Sequence, residues 1–579
     1  MSEAADRTCQ SVQSGTPDQE ERRDSAARQG EYGDRVSTVR NQRLKGRLEL
    51  TWTNKDQRLL SHGEDTYEWT TPDDYRVSEV RLLQDVTVVG ETHKDADRAK
   101  DNLLIRGDAL NALTSLIEVP EFAAEYRGKI KLVYIDPPFN TGQMFQDYND
   151  AVEHSIWLTQ MRDRFVQIRE LLAADGSVWV HLDDSELAYC RVVMDEVFGR
   201  QNFVSSVIWQ KADTLRNDAT RFSSSHDTML VFAKDIRLWR TNRLPRSEEM
   251  NATYRNPDGD PRGPWLPVPL QAPGIRPNST FEVVSPRTGK RHLPPPGKCW
   301  RRSPAELADL IEQDRVWFGR DGLGVPQLKR YLTEVGDRVP DTLWSVKEVG
   351  GNRQSKAEMA ALFQGATFAT PKPERLMQRV LQVASTPGDI VLDCFAGSAT
   401  TAAVAHKMER RWVTVELSDD NYNNYDRPRL TKIVQGEDSG GITADVGWAG
   451  GGGFRCLEVG PSMFVTDNDG AVLLAEWATN GKFADAVAAQ LGYERLGPEH
   501  RPFCGRKGRL RLAVVDGVAG DAEVDFLVSH LAEGERLTLV VKAATEEAQD
   551  RLKALSPGSR LRTAPRDLLR LRSHGKVRR

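Results

Sequence analysis

The stretch "IKLVYIDPPFNTG", residues 130–142, begins as a strand and ends in residues that carry chemistry. The run "IKLVYI" is rich in β-branched and aromatic residues, which is typical of a buried strand. The two prolines restrict the backbone and thereby hold the Asp136 carboxylate and the nearby carbonyl groups in place. Phe139 offers a face on which a flat base can stack, worth ~1–3 kcal/mol per base. The stretch is suited to holding an amino-bearing base, and an ordinary Asp-Pro turn is the structural alternative.

A second stretch, "VLDCFAGSATT" (391–401), has the pattern of a cofactor-binding turn. An apolar strand ends at Asp393, small residues follow, and a helix is expected to begin near Thr400 with free N–H groups. Glu416 ends the next strand, where an acid commonly binds ribose hydroxyls. The chain lacks the Gly-x-Gly-x-x-Gly pattern at this turn and has no Walker loop, which disfavours a dinucleotide or P-loop site. A tight strand-to-helix turn is the structural alternative.

Strands and helices alternate around both stretches and predict an α/β fold with a parallel sheet covered on both faces. The predicted elements include "NLLIRGDALNALTSL" (102–116), a helix over 155–173, a strand over 176–184, a helix over 185–199, and a strand over 410–417. In a doubly wound sheet, the carboxyl ends of such strands face one crevice. The two stretches are therefore expected to meet there.

The alternation breaks between about residues 211 and 350, where Pro and Gly are frequent. Residues 211–345 contain 22 Lys and Arg against 17 Asp and Glu, a net charge of +5, with several interleaved tryptophans. This composition is compatible with a nucleic-acid contact surface. The alternative is an irregular inserted domain with a solvated, charged surface.

Composition narrows the class of protein further. The 579 residues are enough for roughly three to four domains. The six cysteines form no Cys-x-x-Cys pair, so neither a zinc site nor a disulfide framework is expected. No apolar run approaches the ~20 residues that span a bilayer, and the polar first forty residues do not resemble a signal peptide. A cytoplasmic location without membrane contact is the prediction.

On these motifs the chain resembles DNA amino-methyltransferases that use S-adenosylmethionine, in the group whose Asp-Pro-Pro-Tyr/Phe segment precedes the cofactor segment. It is most similar to modification subunits of type III restriction–modification systems. The resemblance covers roughly residues 48–435, in the segments "LELTWTNKDQR", "NLLIRGDALNAL", "YIDPPFNTGQMFQDYND", "GSVWVHLDDSE", "DEVFGRQNFVSSVIWQK", "ATPKPERLMQRVL" and "DCFAGSATT". It implies a circularly permuted, Rossmann-like doubly wound sheet with an inserted target-recognition domain and a small C-terminal α/β domain.

The resemblance also implies roles for individual residues. The catalytic segment would be Asp136, Pro137, Pro138 and Phe139, with Asp136 on the N6 amine of a flipped adenine, the Pro137 carbonyl assisting, and Phe139 stacking. Phe139 stands where tyrosine is common, and stacking survives that change. The cofactor would be bound by Asp393, Phe395, Gly397, Thr400, Glu416, Lys372 and Asp108, and no metal is expected. Lys372, Pro373 and Glu374 match a helix start that packs on the methionine end, whereas His181, Asp183 and Asp184 are expected to be structural.

The predicted domain organisation follows the same resemblance. Its segments are a disordered tail (1–45), an N-terminal arm (46–100), the target-base half of the methyltransferase domain (101–210), a target-recognition domain (211–350), the cofactor half (351–440), and a C-terminal α/β domain with a basic tail (455–579). "VGWAGGGGF" (446–454) is predicted to be a flexible linker.

The predicted activity is site-specific methylation of adenine N6 in DNA, with base flipping. No Pro-Cys segment suits attack on a pyrimidine ring, which disfavours methylation of cytosine carbon 5. Methylation of cytosine N4 and a catalytically silent DNA-recognition subunit are the two alternatives. The expected partners are double-stranded DNA, a second copy of the chain, and a helicase–nuclease restriction subunit.

Overall fold

The computed structural model describes residues 48–61, 66–140, 153–214, 222–363 and 368–569. The predicted disordered tail (1–45) and the last ten residues of the predicted basic tail lie outside this description. The chain divides into two units, Met1–Thr51 and Trp52–Arg579, and every element described below belongs to the second unit.

A ten-stranded mixed sheet organises the described part of the second unit. Its strands, numbered in chain order, are β1 Leu83–Gly90, β2 Asn102–Arg106, β3 Ile130–Ile135, β4 Leu172–Leu182, β5 Phe203–Gln210, β6 His226–Ala233, β7 Leu343–Trp344, β8 Ile390–Asp393, β9 Arg411–Glu416 and β10 Gly453–Val459. Their spatial order is β7-β5-β6-β4-β3-β8-β9-β2-β10-β1. Within this sheet, β6 and β1 run antiparallel to their neighbours and the other pairings are parallel.

The centre of the sheet contains a topological switch point. β3 and β8 are hydrogen-bonded neighbours, with Leu132 opposite Val391 and Val133 opposite Leu392. The chain leaves β3 towards β4 on one side and leaves β8 towards β9 on the other. Because the two connections diverge, a crevice opens beyond the carboxyl ends of β3 and β8. The predicted doubly wound α/β fold is confirmed, although the sheet is mixed and not wholly parallel.

Amphipathic helices cover the sheet. In Glu374–Ala384, the apolar residues Leu376, Met377, Val380 and Leu381 recur on one helical face, and all four are buried. They join a core that contains the buried rings of Trp179, Trp209, Trp344 and Trp412. Other helices of this region include Ala109–Glu118, Pro120–Tyr126, His154–Leu171, Leu187–Met194, Asn352–Leu362, Thr400–Lys407 and Arg427–Gln435.

Two smaller regions lie outside the main sheet. The inserted region has short antiparallel sheets, formed by Trp265–Pro269, Val316–Trp317 and Gln327–Tyr331, by Gln271–Pro273 and Lys298–Trp300, and by Val283–Val284 and Arg291–His292, together with helix Pro304–Glu312. The C-terminal region has a five-stranded sheet, Glu494–Arg495, Gly505–Lys507, Leu510–Ala519, Arg536–Ala544 and Arg560–Thr563, with helices Asn480–Leu491, Asp521–Ser529 and Glu546–Leu555.

The prediction that residues 446–454 form a flexible linker is wrong, because the end of this segment packs closely against the edge of the main sheet. Gly453 starts β10, which pairs with both β2 and β1. A Cβ atom on Gly453 would lie 2.3 Å from the Glu91 carbonyl oxygen, and one on Gly90 would lie 2.2 Å from the Gly452 carbonyl oxygen. The glycines therefore permit a close approach of two backbone segments. Residues 455–459 belong to the main sheet and not to the predicted C-terminal domain.

Two other predicted domain ranges also include strands of the main sheet. β6 lies between β4 and β5 in the main sheet, and β7 lies at its edge, although both fall inside the predicted target-recognition range 211–350. The buried run "DTMLVFA" in β6 explains why this strand belongs to the core. In addition, β1 comes from the predicted N-terminal arm and forms the opposite edge of the sheet. Among the described residues, no helix is long and apolar enough to cross a membrane.

A buried ion-pair network centred on Glu374 supports the turn after β8. Glu374 is 1% exposed, and its carboxylate accepts hydrogen bonds from Lys407 Nζ at 2.8 Å and from Arg429 Nη2 at 2.8 Å. Arg429 Nη1 donates to the Ser398 carbonyl at 2.8 Å and to Thr400 Oγ1 at 2.9 Å. The helix start from Lys372 to Glu374 stays a predicted contact for the methionine end of the cofactor. Within this helix start, the Glu374 side chain is buried and fixes the turn through Arg429.

Replacing Glu374 by Ala is predicted to destabilise the fold strongly, because Arg429 would remain buried without its carboxylate partner and Lys407 would keep only its ion pair with Asp438, at 2.6 Å. The expected loss is about 3–5 kcal/mol in the free energy of unfolding, measured by urea denaturation. The matched control is Glu170→Ala, which breaks a solvent-exposed pair with Arg127 at 2.8 Å and should cost about 0–1 kcal/mol. Equal losses in the two variants would contradict the supporting role of Glu374.

Candidate functional site

A cavity of about 1590 Å³ lies at the carboxyl ends of β3 and β8. It exceeds the roughly 300–1,000 Å³ typical of a pocket for one small molecule, so it has room for two flat ligands. The cavity is lined by all eleven residues that the sequence assigned to catalysis or cofactor binding, namely Asp108, Asp136, Pro137, Pro138, Phe139, Lys372, Asp393, Phe395, Gly397, Thr400 and Glu416.

Asp136 lies directly after β3, with one carboxylate oxygen paired and the other unpaired. Its Oδ2 forms an ion pair with Lys372 Nζ. Within the described part of the chain, its buried Oδ1 has no hydrogen-bond partner. Burying an acceptor without a donor costs about 1–3 kcal/mol, so this oxygen is suited to a donor supplied by a ligand.

The Phe139 ring contacts side chains from two other parts of the chain. It stacks on His181 with a centroid distance of 6.0 Å and an interplanar angle of 18°. Lys372 Nζ lies 5.2 Å from the ring centroid, within cation–π range. The backbone beside the ring is also fixed, because Trp157 Nε1 donates to the Pro138 carbonyl at 2.7 Å and Asn140 Nδ2 donates to Glu186 at 2.7 Å.

A buried polar chain lies behind Phe139. His181 Nδ1 is hydrogen-bonded to the Tyr134 hydroxyl at 2.8 Å, and His181 Nε2 lies 3.5 Å from Asp227 Oδ2. Lys211 Nζ donates to Asp227 Oδ1 at 2.6 Å. Burial opposes ionisation of Asp227, but the interactions with His181 and Lys211 outweigh it and lower the pKa of Asp227 to about 2. Sequence reasoning missed Asp227 and Lys211, since no local pattern links them to His181.

The turn after β8 has the geometry of a ligand cradle. Gly397 and Ala399 adopt left-handed backbone conformations, with φ of +57° and +53°. Such a conformation favours glycine at position 397. A Cβ atom there would lie 3.5 Å from the ring of Phe368, which also lines the cavity. The helix Thr400–Lys407 then begins, with its N-terminus at the cavity.

Two acids fix this turn through backbone N–H groups. Asp393 Oδ1 accepts from Phe395 N at 3.0 Å. Glu416 Oε2 accepts from Gly397 N at 2.8 Å, and its Oε1 accepts from Ser418 N at 2.9 Å. Glu416, at the end of β9, is thereby held against the glycine turn on the neighbouring strand.

The acids at this end of the cavity are shifted towards their neutral forms. Burial raises the pKa of Asp393 to about 8, and the nearby charge of Asp136 contributes to the same shift. Burial also raises the pKa of Glu416, and it raises the pKa of Asp426 well above its ordinary value. Asp136 and Asp393 line the same cavity, and their carboxyl groups are close enough for the charge of one to affect the other.

Asp108 has a clear local role at the rim of the cavity. Its side chain accepts from Leu110 N at 2.6 Å and caps the helix Ala109–Glu118. Arg164, which is almost buried, lies 3.2 Å from Asp108 Oδ1. Asp108 therefore fixes a helix start and a cation beside the cavity, and direct contact with a cofactor stays a prediction.

A comparison with known proteins shows the family of the chain. A family model described as DNA methylase (N6_N4_Mtase) matches residues 130–425, which is more than half of the chain. The chain belongs to the DNA methylase family. The matched range contains the Asp136–Phe139 segment, the inserted region and the Asp393–Glu416 turn.

Individual relatives of this DNA methylase are modification subunits. The chain is 31% identical to the type III restriction-modification enzyme StyLTI Mod subunit of Salmonella typhimurium, over 52% of this chain and 49% of that one. It is 26% identical to the EcoP15I Mod subunit of Escherichia coli, over 83% of this chain and 82% of that one. A solved structure, the M1.HpyAVI-SAM complex, is 14% identical, with a TM-score of 0.28 and coverage of 57% and 98%. The chain spans about half the length of the StyLTI subunit and of a second relative, the probable type III restriction-modification enzyme HindVI Mod subunit of Haemophilus influenzae, to which it is 30% identical over 64% of this chain and 56% of that one.

Because the pKa of Asp393 is raised, the effect of Asp393→Asn on the free energy of unfolding is predicted to depend on pH. In the folded chain the acid keeps its proton up to about pH 8, whereas in the unfolded chain it loses the proton near pH 4. The wild-type chain therefore loses stability from this group as the pH rises between those values, and the asparagine variant does not.

Urea denaturation without cofactor should show Asp393→Asn gaining stability relative to wild type from pH 5 to pH 8, by up to about 1.4 kcal/mol per pH unit. Glu416 and Asp426 are present in both proteins, so their titration should largely cancel in this comparison. A difference that is constant across the pH range would contradict a protonated Asp393.

Proposed function

We propose that the chain is a site-specific DNA methyltransferase that transfers a methyl group from S-adenosylmethionine to the N6 amine of adenine. One observation carries this proposal. The unpaired, buried Oδ1 of Asp136 and the glycine turn from Asp393 to Thr400 line the same cavity. An acceptor for an amine and a cradle for a nucleoside-like cofactor are thus brought together, which is the arrangement that amine methylation requires.

The residues of the turn fit S-adenosylmethionine. Glu416 offers a carboxylate for ribose hydroxyls, and the left-handed backbone at Gly397 allows a ligand to approach closely. Phe368 and Phe395 supply apolar surface in the same cavity. When bound, S-adenosylmethionine supplies a methyl group that is already activated by its sulfonium charge.

The other half of the site activates the amine by position and hydrogen bonding. The lone pair of an adenine amine is delocalised into the ring, so the amine is a poor nucleophile. Asp136 Oδ1 and the Pro137 carbonyl would accept its two hydrogens and favour a pyramidal nitrogen, while Phe139 stacks on the ring. Lys372 holds Asp136 through Oδ2 and leaves Oδ1 for the amine. Catalysis then rests on orientation and electrostatics, and no covalent enzyme intermediate is needed.

Adenine is the proposed base because the chain resembles type III modification subunits. This resemblance implies methylation of adenine N6, and Asp rather than Ser at position 136 goes with adenine in the same family. The same acceptors suit the N4 amine of cytosine, and the family model covers both chemistries. Methylation of cytosine N4 is therefore the second candidate. A catalytically silent DNA-recognition subunit is a weaker candidate, since all the proposed site residues line one cavity.

The proposed partners follow from the same relatives, which are named as subunits of type III restriction-modification enzymes. We infer that double-stranded DNA is the substrate and that the region inserted between β6 and β7 reads the target sequence. A second copy of the chain and a helicase–nuclease restriction subunit complete the proposed assembly.

Mapping of methylated bases in cells that express the chain should reveal N6-methyladenine at one short motif. The Asp136→Ala variant should lose these marks, because the amine would lose its carboxylate acceptor. Oligonucleotides without adenine provide the test against cytosine, since methyl transfer to them would favour N4 methylation. Equal marks in cells with wild type and Asp136→Ala would contradict the assignment of the site.

Substitutions in the two halves of the site should have different effects on the Kd of S-adenosylmethionine. Glu416→Ala removes the proposed ribose acceptor and releases the Gly397 N–H, so its Kd should rise about ten- to a hundredfold. Asp136→Asn should bind the cofactor within about twofold of wild type, because Asp136 is assigned to the base and the asparagine oxygen can still accept a hydrogen bond from Lys372. Isothermal titration calorimetry measures both values, and the reverse order of effects would contradict the division of the cavity.

A further inference from the structure

Phe222 is an apolar side chain with no cover at the mouth of the cavity. It belongs to the loop that joins β5 to β6, of which residues 211–214 and 222–225 are described. Its side chain is 99% exposed, and it lines the same cavity as Asp136 and Phe139. Exposure of a whole phenyl ring is unfavourable in water, so a role in contacting a partner is a natural explanation for it.

The base of this loop is fixed close to Phe222. Lys211 N donates to the Ser225 carbonyl at 2.9 Å, and Asn352 N donates to the Lys211 carbonyl at 2.9 Å. The Lys211 side chain is paired with Asp227 at 2.6 Å, within the polar chain behind Phe139. Phe222 therefore projects three residues from an anchor that belongs to the base-binding half of the site.

The surroundings of Phe222 match nucleic acid better than an apolar protein surface. Lys356 and Arg353 line the same cavity, as do the hydroxyl-bearing residues Ser223 and Ser224, and Arg353 also lies 3.7 Å from the Asp213 carboxylate. Cations and hydroxyl groups bind phosphate oxygens, whereas an aromatic ring can stack on bases. An exposed ring among phosphate-binding groups is thus suited to a duplex, whose outside is anionic and whose interior is a stack of flat rings.

Removal of a base from the duplex leaves a gap in the base stack, and the Phe222 ring can fill that gap. Extruding a base costs a few kcal/mol of lost stacking and pairing. Apolar side chains that insert between base steps occur in other DNA-binding proteins. Phe139 already serves the extruded base inside the cavity, whereas Phe222 stands at the mouth with its ring exposed.

We propose that Phe222 enters the duplex at the position that the target base leaves and stabilises the base-flipped state. This inference rests on the proposed function, because it requires a base to enter the cavity. Phe222 is thereby a positioning residue for the substrate and takes no part in methyl transfer itself.

The experiment compares two duplexes under single-turnover conditions, one with the target base normally paired and one with an abasic site opposite it. The second duplex has little pairing to lose, so it needs less help from Phe222. Phe222→Ala should lower kcat/KM on the paired duplex about 5- to 150-fold, corresponding to one stacking contact. On the abasic duplex it should stay within about threefold of wild type.

Two control variants make the comparison specific. Phe222→Trp keeps a ring that can stack and should retain most activity on the paired duplex. Phe526→Ala removes another phenyl ring, which is 54% exposed and lies outside both the cavity and the inserted region, and it should leave both rates unchanged. Unchanged S-adenosylmethionine binding by Phe222→Ala confirms that the variant is folded.

Different outcomes overturn different statements. Equal losses of Phe222→Ala on the two duplexes, or no loss on either, would overturn the insertion of Phe222. Absence of methyl transfer by the wild-type chain on both duplexes would instead overturn the proposed function. Binding of Phe222 to a protein partner predicts normal rates on both DNA substrates and counts against the inference.

Discussion

The pairing of β3 with β8 is the constraint on which the site depends. These strands come from distant parts of the chain, yet they lie side by side at the centre of the sheet. Their connections leave in opposite directions, which opens the crevice beyond their carboxyl ends. Asp136 and Asp393, the first residue after β3 and the last residue of β8, therefore face one cavity. Every proposed chemical step relies on this adjacency.

Buried polar networks give the crevice its rigidity. The turn after β8 is held by the ion pairs among Glu374, Lys407 and Arg429. The Phe139 ring is supported by the polar side chains of Lys211, Asp227 and His181. A buried ion pair adds little to the free energy of unfolding, but breaking it is costly because a buried charge is left unpaired. These networks therefore favour the one arrangement of the crevice in which every charge is paired. The ion pair between Lys372 and Asp136 joins the segment before β8 to the end of β3, which are the proposed cofactor and target-base halves of the site.

The sequence was sufficient to predict these strand ends and to select residues there that line one cavity, and their chemical roles stay predictions. Asp136, Phe139, Asp393 and Glu416 are recognisable because local backbone chemistry, such as Pro-Pro or a small-residue turn, surrounds each of them. The polar chain behind Phe139 was not predictable, because His181 and Asp227 become neighbours only through the pairing of β4 with β6. The tight glycine crossing before β10 was misinterpreted, since a glycine run has the same composition in a linker and in a close backbone contact.

The most direct test of the central claim is a crystal structure of the chain with a target duplex and a non-reactive analogue of S-adenosylmethionine. The account predicts that the adenine amine lies about 3 Å from Asp136 Oδ1 and faces the analogue, which rests on the turn from Asp393 to Thr400. An analogue bound at other strand ends, or a target base that does not enter the crevice between β3 and β8, would contradict it.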